Sequence, residues 1–252
     1  MANANIKGKF FTKTVEPDMG ATFMHQNAYT ASDILFDWTE FKLPRGGSKL
    51  MGITALMRTA NGTLADVIAD LVFAKSTGGT TAPTSLGTRH DQATGTGFQN
   101  NIIGQAQLVA TDFVHGIDNL SIATYSLPTG YNGIVFDDGT EGNNDSGGNS
   151  FWVAGIAIST PNFASTVTIA EDGFAANTQT AITVGTTDAN LVIAPGDTVA
   201  GSSGNVMGKV KTVTDTLITL EKANEEAIAG TDTTAEKVYN ISPIKLVLSF
   251  ER

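Results

Sequence analysis

Residues 34–74 constrain this chain more than any other stretch. They hold three apolar segments in close succession, rich in aromatic and β-branched side chains and separated by turn formers. Over 34–43 the side chains alternate: Ile34, Phe36 and Trp38 fall on one face, with Asp33, Asp37 and Thr39 on the other. A period of two is that of a strand with one face in a core and one in water. Pro44-Arg45-Gly46-Gly47 breaks it, since proline presets a turn angle and glycine tolerates positive φ. The segment 49–58 is apolar on both faces through Leu50, Met51, Ile53, Leu56 and Met57, as in a strand covered on two sides. Asn61-Gly62 is a two-residue turn signal, and 69–74 resumes the strand. Three such strands in a row predict an antiparallel meander, and burying it requires a whole domain.

The 252 residues allow one large or two modest domains with a real core. Only 16% of residues are charged, and Gly, Thr, Asn and Ala fill the surface instead. That palette belongs to loop-rich β structure, because long helices draw on Glu, Lys, Arg and Leu. A formal charge of −10 opposes phosphate backbones and anionic lipids, so neither nucleic acid nor a membrane is an expected partner. Cysteine is absent, which removes disulfides and thiolate metal sites and leaves packing to hold the fold. The opening MANANIKGKFFTKT lacks the apolar core of a signal peptide, and no stretch reaches the apolar length of a membrane span. The expectation is synthesis in a cytoplasm.

Further along, Lys9, Phe10 and Phe11 read as an N-terminal arm or edge strand. Residues 76–97 form a long polar loop, of a length that is usually functional or mobile. Short strands are expected within 102–113, over 120–127 and, after the Tyr131-Asn132-Gly133 turn, at 134–136. The stretch 137–150 is a polar tip, and 151–159 (FWVAGIAIS) is the best candidate for a fully buried strand. From 166 to 241 the style changes: Phe174 and Tyr239 are the only aromatic residues, and short Thr/Val strands alternate with Gly/Asp turns. A hairpin of 207–213 with 217–220 and a closing strand at 238–241 predict a small barrel. After Pro243, Ile244, Leu246, Leu248 and Phe250 alternate cleanly. The division expected is a main β domain over 1–165, completed by 242–252, with 166–241 inserted.

Chemistry is harder to find. Gly95-Thr96-Gly97 has Asn100 where a dinucleotide fingerprint needs its third glycine, and no helix pattern follows. The run from Gly204 to Lys209 is one spacer short of a phosphate loop, and Val210 stands in the Ser/Thr position, so a β-turn is expected. His25, His90 and His115 are far apart and lack metal-type spacing. No G-x-S-x-G elbow accompanies them. Asp137, Asp138, Glu141, Asn143, Asn144 and Asp145 offer the oxygen ligands that calcium takes, but not in EF-hand order; a bare, solvated tip explains the same residues. Phe36, Trp38 and Phe41 could form a sugar-stacking platform, though aromatics alternating on a strand are more often core. No catalytic, cofactor-binding or metal-binding residues are assigned, and no cofactor is expected.

The segments DILFDWTEFKLPRGGSKLMGITALMR, DLVFAKS and NSFWVAGIAIS resemble the virion structural proteins of tailed bacteriophages, especially those of marine and cyanobacterial hosts. The stretch from APGDTV through GKVKTVTDTLITLEKANEEAIAGTD to VYNISPIKLVLSF is similar to small β modules common in such particles. The resemblance implies an all-β protein attached to the virion and carries no catalytic residues. The expected fold is an antiparallel β-sandwich or jelly-roll-like domain with a small β-barrel-like insertion. The expected function is that of a non-enzymatic capsid decoration protein, made in the host cytoplasm and located on the virion. It would be a homo-oligomer, with the major capsid protein or other virion proteins as partners. A tail or baseplate component and a carbohydrate-binding or host-adhesion module are the alternatives.

Overall fold

The computed structural model describes residues 10–26, 28–44, 46–59, 65–76, 81–117, 119–126, 133–137, 150–171, 173–185, 189–228 and 236–252. The Asn61-Gly62 and Tyr131-Asn132 turn signals, Lys9, and the tip from Asp138 to Asp145 lie outside them. The fold is nearly all β, and every strand pairing is antiparallel.

Two sheets share one core. The first runs in the order β1 (Phe10–Val15), β15 (Ile244–Glu251), β3 (Ser48–Met57), β7 (Leu120–Ser126), β6 (Phe113–Ile117), with β8 (Val135–Phe136) also on β3. The second runs β2 (Ile34–Lys42), β9 (Ser150–Ala157), β4 (Ala69–Lys75), β5 (Ile102–Leu108). A 3-10 turn at Ala110–Asp112 carries the chain from β5 in one sheet to β6 in the other. Between the layers Phe136 sits with its ring centre 5.1 to 5.8 Å from those of Phe41, Phe73, Phe151 and Phe250. Three of these contacts stand within ten degrees of perpendicular, the edge-to-face arrangement aromatic quadrupoles prefer. In β15, Ile244, Leu246, Leu248 and Phe250 are all buried, and the residues between them are half-exposed.

The expected meander does not form. β2, β3 and β4 are consecutive, yet β2 and β4 flank β9 in the second sheet while β3 lies between β15 and β7 in the first. β9 is apolar on both faces and buried over almost its whole length, so it takes the central place that a shorter or half-polar strand cannot hold. The turn after β2, with Gly46 at φ 93°, crosses between layers instead of closing a hairpin. Nor is β3 covered on two sides: Leu50, Ile53, Ala55 and Met57 are buried, whereas Met51 is exposed and Leu56 half-exposed.

The alternation read along β2 is also interrupted. Its register with β9 slips between Ile34 and Phe36 and again between Phe36 and Thr39. Each extra residue moves the following side chains to the opposite face. Phe36 and Phe41 therefore enter the main core, while Ile34 and Trp38 pack on the outer side with Leu86, Phe98 and Ala154. Phe36 lies opposite Gly155, where any Cβ would overlap its ring; this close approach requires glycine. The polar segment after β4 covers that outer side. Trp38 Nε1 donates to the Thr84 carbonyl (2.9 Å), the Leu86 amide donates to Asp37 Oδ1 (3.2 Å), and Leu86 is buried.

A second apolar cluster fills a small barrel. Its sheet runs β10 (Ala181–Thr183), β13 (Leu217–Leu220), β12 (Val206–Val213), β11 (Thr198–Gly201), β14 (Val238–Asn240). Residues 167–170 bond to both edges and close it: the Val238 amide donates to Val167 O and the Ile169 amide to Glu236 O. On the other side the Ala170 amide donates to Thr183 O and the Gly185 amide to Thr168 O. Gly204, at φ 95°, closes a turn on the Gly201 carbonyl, and Val206 to Lys209 belong to β12 instead of forming the β-turn expected over 204–209. Tyr239 points the other way, into the sandwich core, which leaves Phe174 as the aromatic residue of the barrel core.

Candidate functional site

A cleft of about 230 Å³ opens where the barrel meets the first sheet. Leu56, Leu120, Lys245 and Glu16 form the sheet side, and the 195–198 loop with Asn240 and Ser242 forms the barrel side. Its charges are paired. Arg58, just past β3, bonds Asp197 of the barrel, and Lys245 Nζ lies 2.6 Å from Glu16 Oε1. Asp197 also accepts from the Ala194 amide at 2.7 Å. Burial pushes the Asp197 carboxyl above the usual carboxylate range, against the downward pull of Arg58. Desolvation thus outweighs the attraction, a common outcome for a partly buried pair. The arrangement ties two parts of the chain 139 residues apart; Asp197 would have to leave Arg58 before it could serve as an acid or base.

The three histidines are likewise engaged in joining segments. His25 Nδ1 shares a 2.8 Å hydrogen bond with the Tyr239 hydroxyl, linking α1 (Ala21–Met24) to β14; burial pushes that phenol up to about 12. His90 holds φ 66°, and its Nδ1 lies 3.9 Å from Asp33 Oδ2. Its ring centre is 4.4 Å from that of Tyr29. Asp33 is buried and accepts from the Thr30 amide (2.6 Å) and hydroxyl (3.0 Å). The Tyr29 hydroxyl is also buried and has no hydrogen-bond partner among the described residues; desolvation raises its pKa.

The third histidine lies between an aspartate and a serine. His115 Nε2 lies 2.8 Å from Asp66 Oδ1, and its Nδ1 lies 3.4 Å from Ser121 Oγ. This is the composition of a catalytic triad. A nucleophile must be reachable by substrate, however, and Ser121 is 1% exposed with its Oγ already accepting from the Ala65 amide at 3.2 Å. The three side chains instead fasten β6 and β7 to the segment entering β4. Separations of 49 and 6 residues matched no motif, so only the sheet pairing brings them together.

Among the described residues no group of three or more His, Asp and Glu side chains is disposed to hold a metal ion. Of the oxygen-rich tip only Asp137 is described. Phe36 and Phe41 are core residues, and Trp38 packs under the 84–98 segment, so the three form no common platform. No described helix is long and apolar enough to cross a membrane. No protein-family model, curated protein or solved structure matches the chain.

Proposed function

We propose that this chain is a structural protein of a tailed-phage virion, most simply a decoration protein that binds the assembled head and braces it. The observation that carries this reading is the use made of its reactive side chains. His25, His90, His115, Asp66 and Asp197 each tie together segments distant in sequence. A chain that spends such groups on its own cohesion is built to be rigid and to bind, not to turn over a substrate. The resemblance of 33–58, 70–76 and 149–159 to virion proteins supports the same reading, as does a formal charge of −10, which disfavours a direct role on the packaged nucleic acid. The partner on this reading is the major capsid protein.

Purified chain added to capsids stripped of accessory proteins tests the proposal. Saturable binding to heads is expected, with higher resistance to heat and osmotic shock. Added salt should weaken it only modestly, because so sparsely charged a surface leaves electrostatics a minor contributor. Saturable binding to tails and not to heads would overturn the decoration reading.

A further inference from the structure

The cleft between the barrel and the first sheet holds more hydrogen-bonding capacity than the protein itself uses. Asn240, 6% exposed, lines it at the end of β14. Its Oδ1 accepts from the Ser242 amide at 3.0 Å, while its Nδ2 has no partner among the described residues. That nitrogen is not sealed from solvent either, since the fully enclosed polar side-chain atoms without a partner are Tyr29 Oη and Ser48 Oγ. The cleft is where it opens. Arg58 reaches Asp197 through Nη1, and Asp197 receives this bond and that of the Ala194 amide on the same oxygen, Oδ2. Arg58 Nε and Nη2 and Asp197 Oδ1 are left without partners among the described residues, although the two side chains are only 28% and 13% exposed.

We infer that this cleft binds an uncharged polyhydroxylated ligand the size of one sugar ring, such as a hexose. The unused groups select the chemistry. The Arg58–Asp197 bond sets free guanidinium donors beside a free carboxylate oxygen. A hydroxyl is the uncharged group that accepts from one and donates to the other through a single atom. Asn240 Nδ2 is a further donor, so more than one hydroxyl is required. Charged ligands fit less well. The lining carries Arg58 and Lys245 against Glu16 and Asp197, so an anion would crowd two carboxylates and a cation would crowd a guanidinium and an ammonium group. Leu56, Leu120 and Pro243 supply an apolar wall, which the C–H face of a sugar ring can cover. The volume of about 230 Å³ lies below the roughly 300–1,000 Å³ of sites for drug-sized ligands, which limits the occupant to a single ring.

The inference does not rest on the virion reading, and its test needs no particle. Titration of the full chain with glucose, galactose and mannose, followed by amide chemical shifts, should show saturable binding of at least one. A dissociation constant in the millimolar range is expected of so small a ligand, with the shifts centred on Arg58, Asp197 and Asn240. Asn240→Asp keeps the oxygen that holds the Ser242 amide and removes the free donor; it should raise the dissociation constant at least tenfold. Leu120→Trp fills the cleft from β7 while leaving its polar groups in place, and should abolish binding with the melting temperature little changed. A methyl glycoside that binds as tightly as the free hexose supports the end of a glycan as the ligand, and one that does not bind supports the free sugar. No saturable shift with any of the three hexoses, binding of acetate or glycine in their place, or sugar binding that survives both substitutions overturns the inference.

Discussion

The sandwich and the barrel bury their cores by different means. In the sandwich two broad layers lie about 10 Å apart, and that gap is filled by large rings: Phe136 makes edge contacts with neighbours from β2, β4, β9 and β15. In the barrel the strands are only three to eight residues long. Its interior is mainly Val, Ile and Leu, with Met207, Ala189 and a single aromatic, Phe174. What the barrel lacks in apolar volume it offsets with a polar peg. Asn224 is fully buried, and its Oδ1 accepts from the Thr178 and Gln179 amides at 3.0 and 2.8 Å. Its Nδ2 donates to the Ala175 and Glu226 carbonyls at 2.8 and 2.7 Å. Four bonds from one side chain hold two loops across the end of the barrel, where no strand ladder reaches. A wide core is specified by ring packing, and a narrow one by β-branched filling plus a satisfied polar network.

The sharpest way to break this comparison is to remove one side at a time. Ending the chain after Ser242 deletes β15 from between β1 and β3 and takes Ile244, Leu246, Leu248 and Phe250 from the core. At about 1.5–3 kcal/mol per buried side chain the loss reaches roughly 6–12 kcal/mol as an upper figure, comparable to a domain's whole stability of about 5–15 kcal/mol. Insoluble or molten protein is expected. Replacing 166–241 by a short Gly/Ser linker removes far more chain yet should leave a soluble protein that melts cooperatively. If the truncated chain melts normally while the excised one collapses, the sandwich depends on the barrel and the contrast fails.

Single substitutions sharpen it. Phe136→Ala should cost about 3–5 kcal/mol through the void left among four rings. Asn224→Ala should cost roughly 2–4 kcal/mol, because it strands two amides and two carbonyls in a buried site. Denaturant melts followed at the sandwich tryptophans, Trp38 and Trp152, should register the first fully. Hydrogen exchange of the β11–β13 amides should register the second. An Asn224→Ala protein with unchanged exchange in the barrel would show that the peg is dispensable.

The smallest effect concerns the junction. Because burial raises the Asp197 pKa, the folded state binds its proton more tightly than the unfolded one. Its contribution is therefore greatest at acid pH and declines as pH rises from the ordinary carboxylate value through the raised one. Asp197→Asn removes this term, so the melting temperature of the variant relative to the parent should climb over that window. A difference that instead falls with rising pH would mean that the attraction to Arg58 outweighs desolvation.

Period-two patterning in β15, the buried run of β9 and the β12–β13 hairpin were readable from the chain, because each depends on residues within a few positions of one another. The choice of sheet was not. β2, β3 and β4 carry similar local signals, and only competition for the central place beside β9 separates them. The same holds for the bulges that send Phe36 inward and Trp38 outward, which arise from the fit against Gly155 and Ala154. The segment after β4 looked like an unattached polar loop because its anchors, Leu86, Thr84 and Phe98, are sparse and find their partners on β2. The reactive residues were visible by type, but His115 and Ser121 meet across the β6–β7 hairpin, and Asp66 and Asp197 reach His115 and Arg58 from segments 49 and 139 residues away. Local spacing determines which stretches extend and which face of each is apolar. Which strands neighbour one another is a non-local competition for burial and for backbone hydrogen bonds, and the tertiary structure alone decides it.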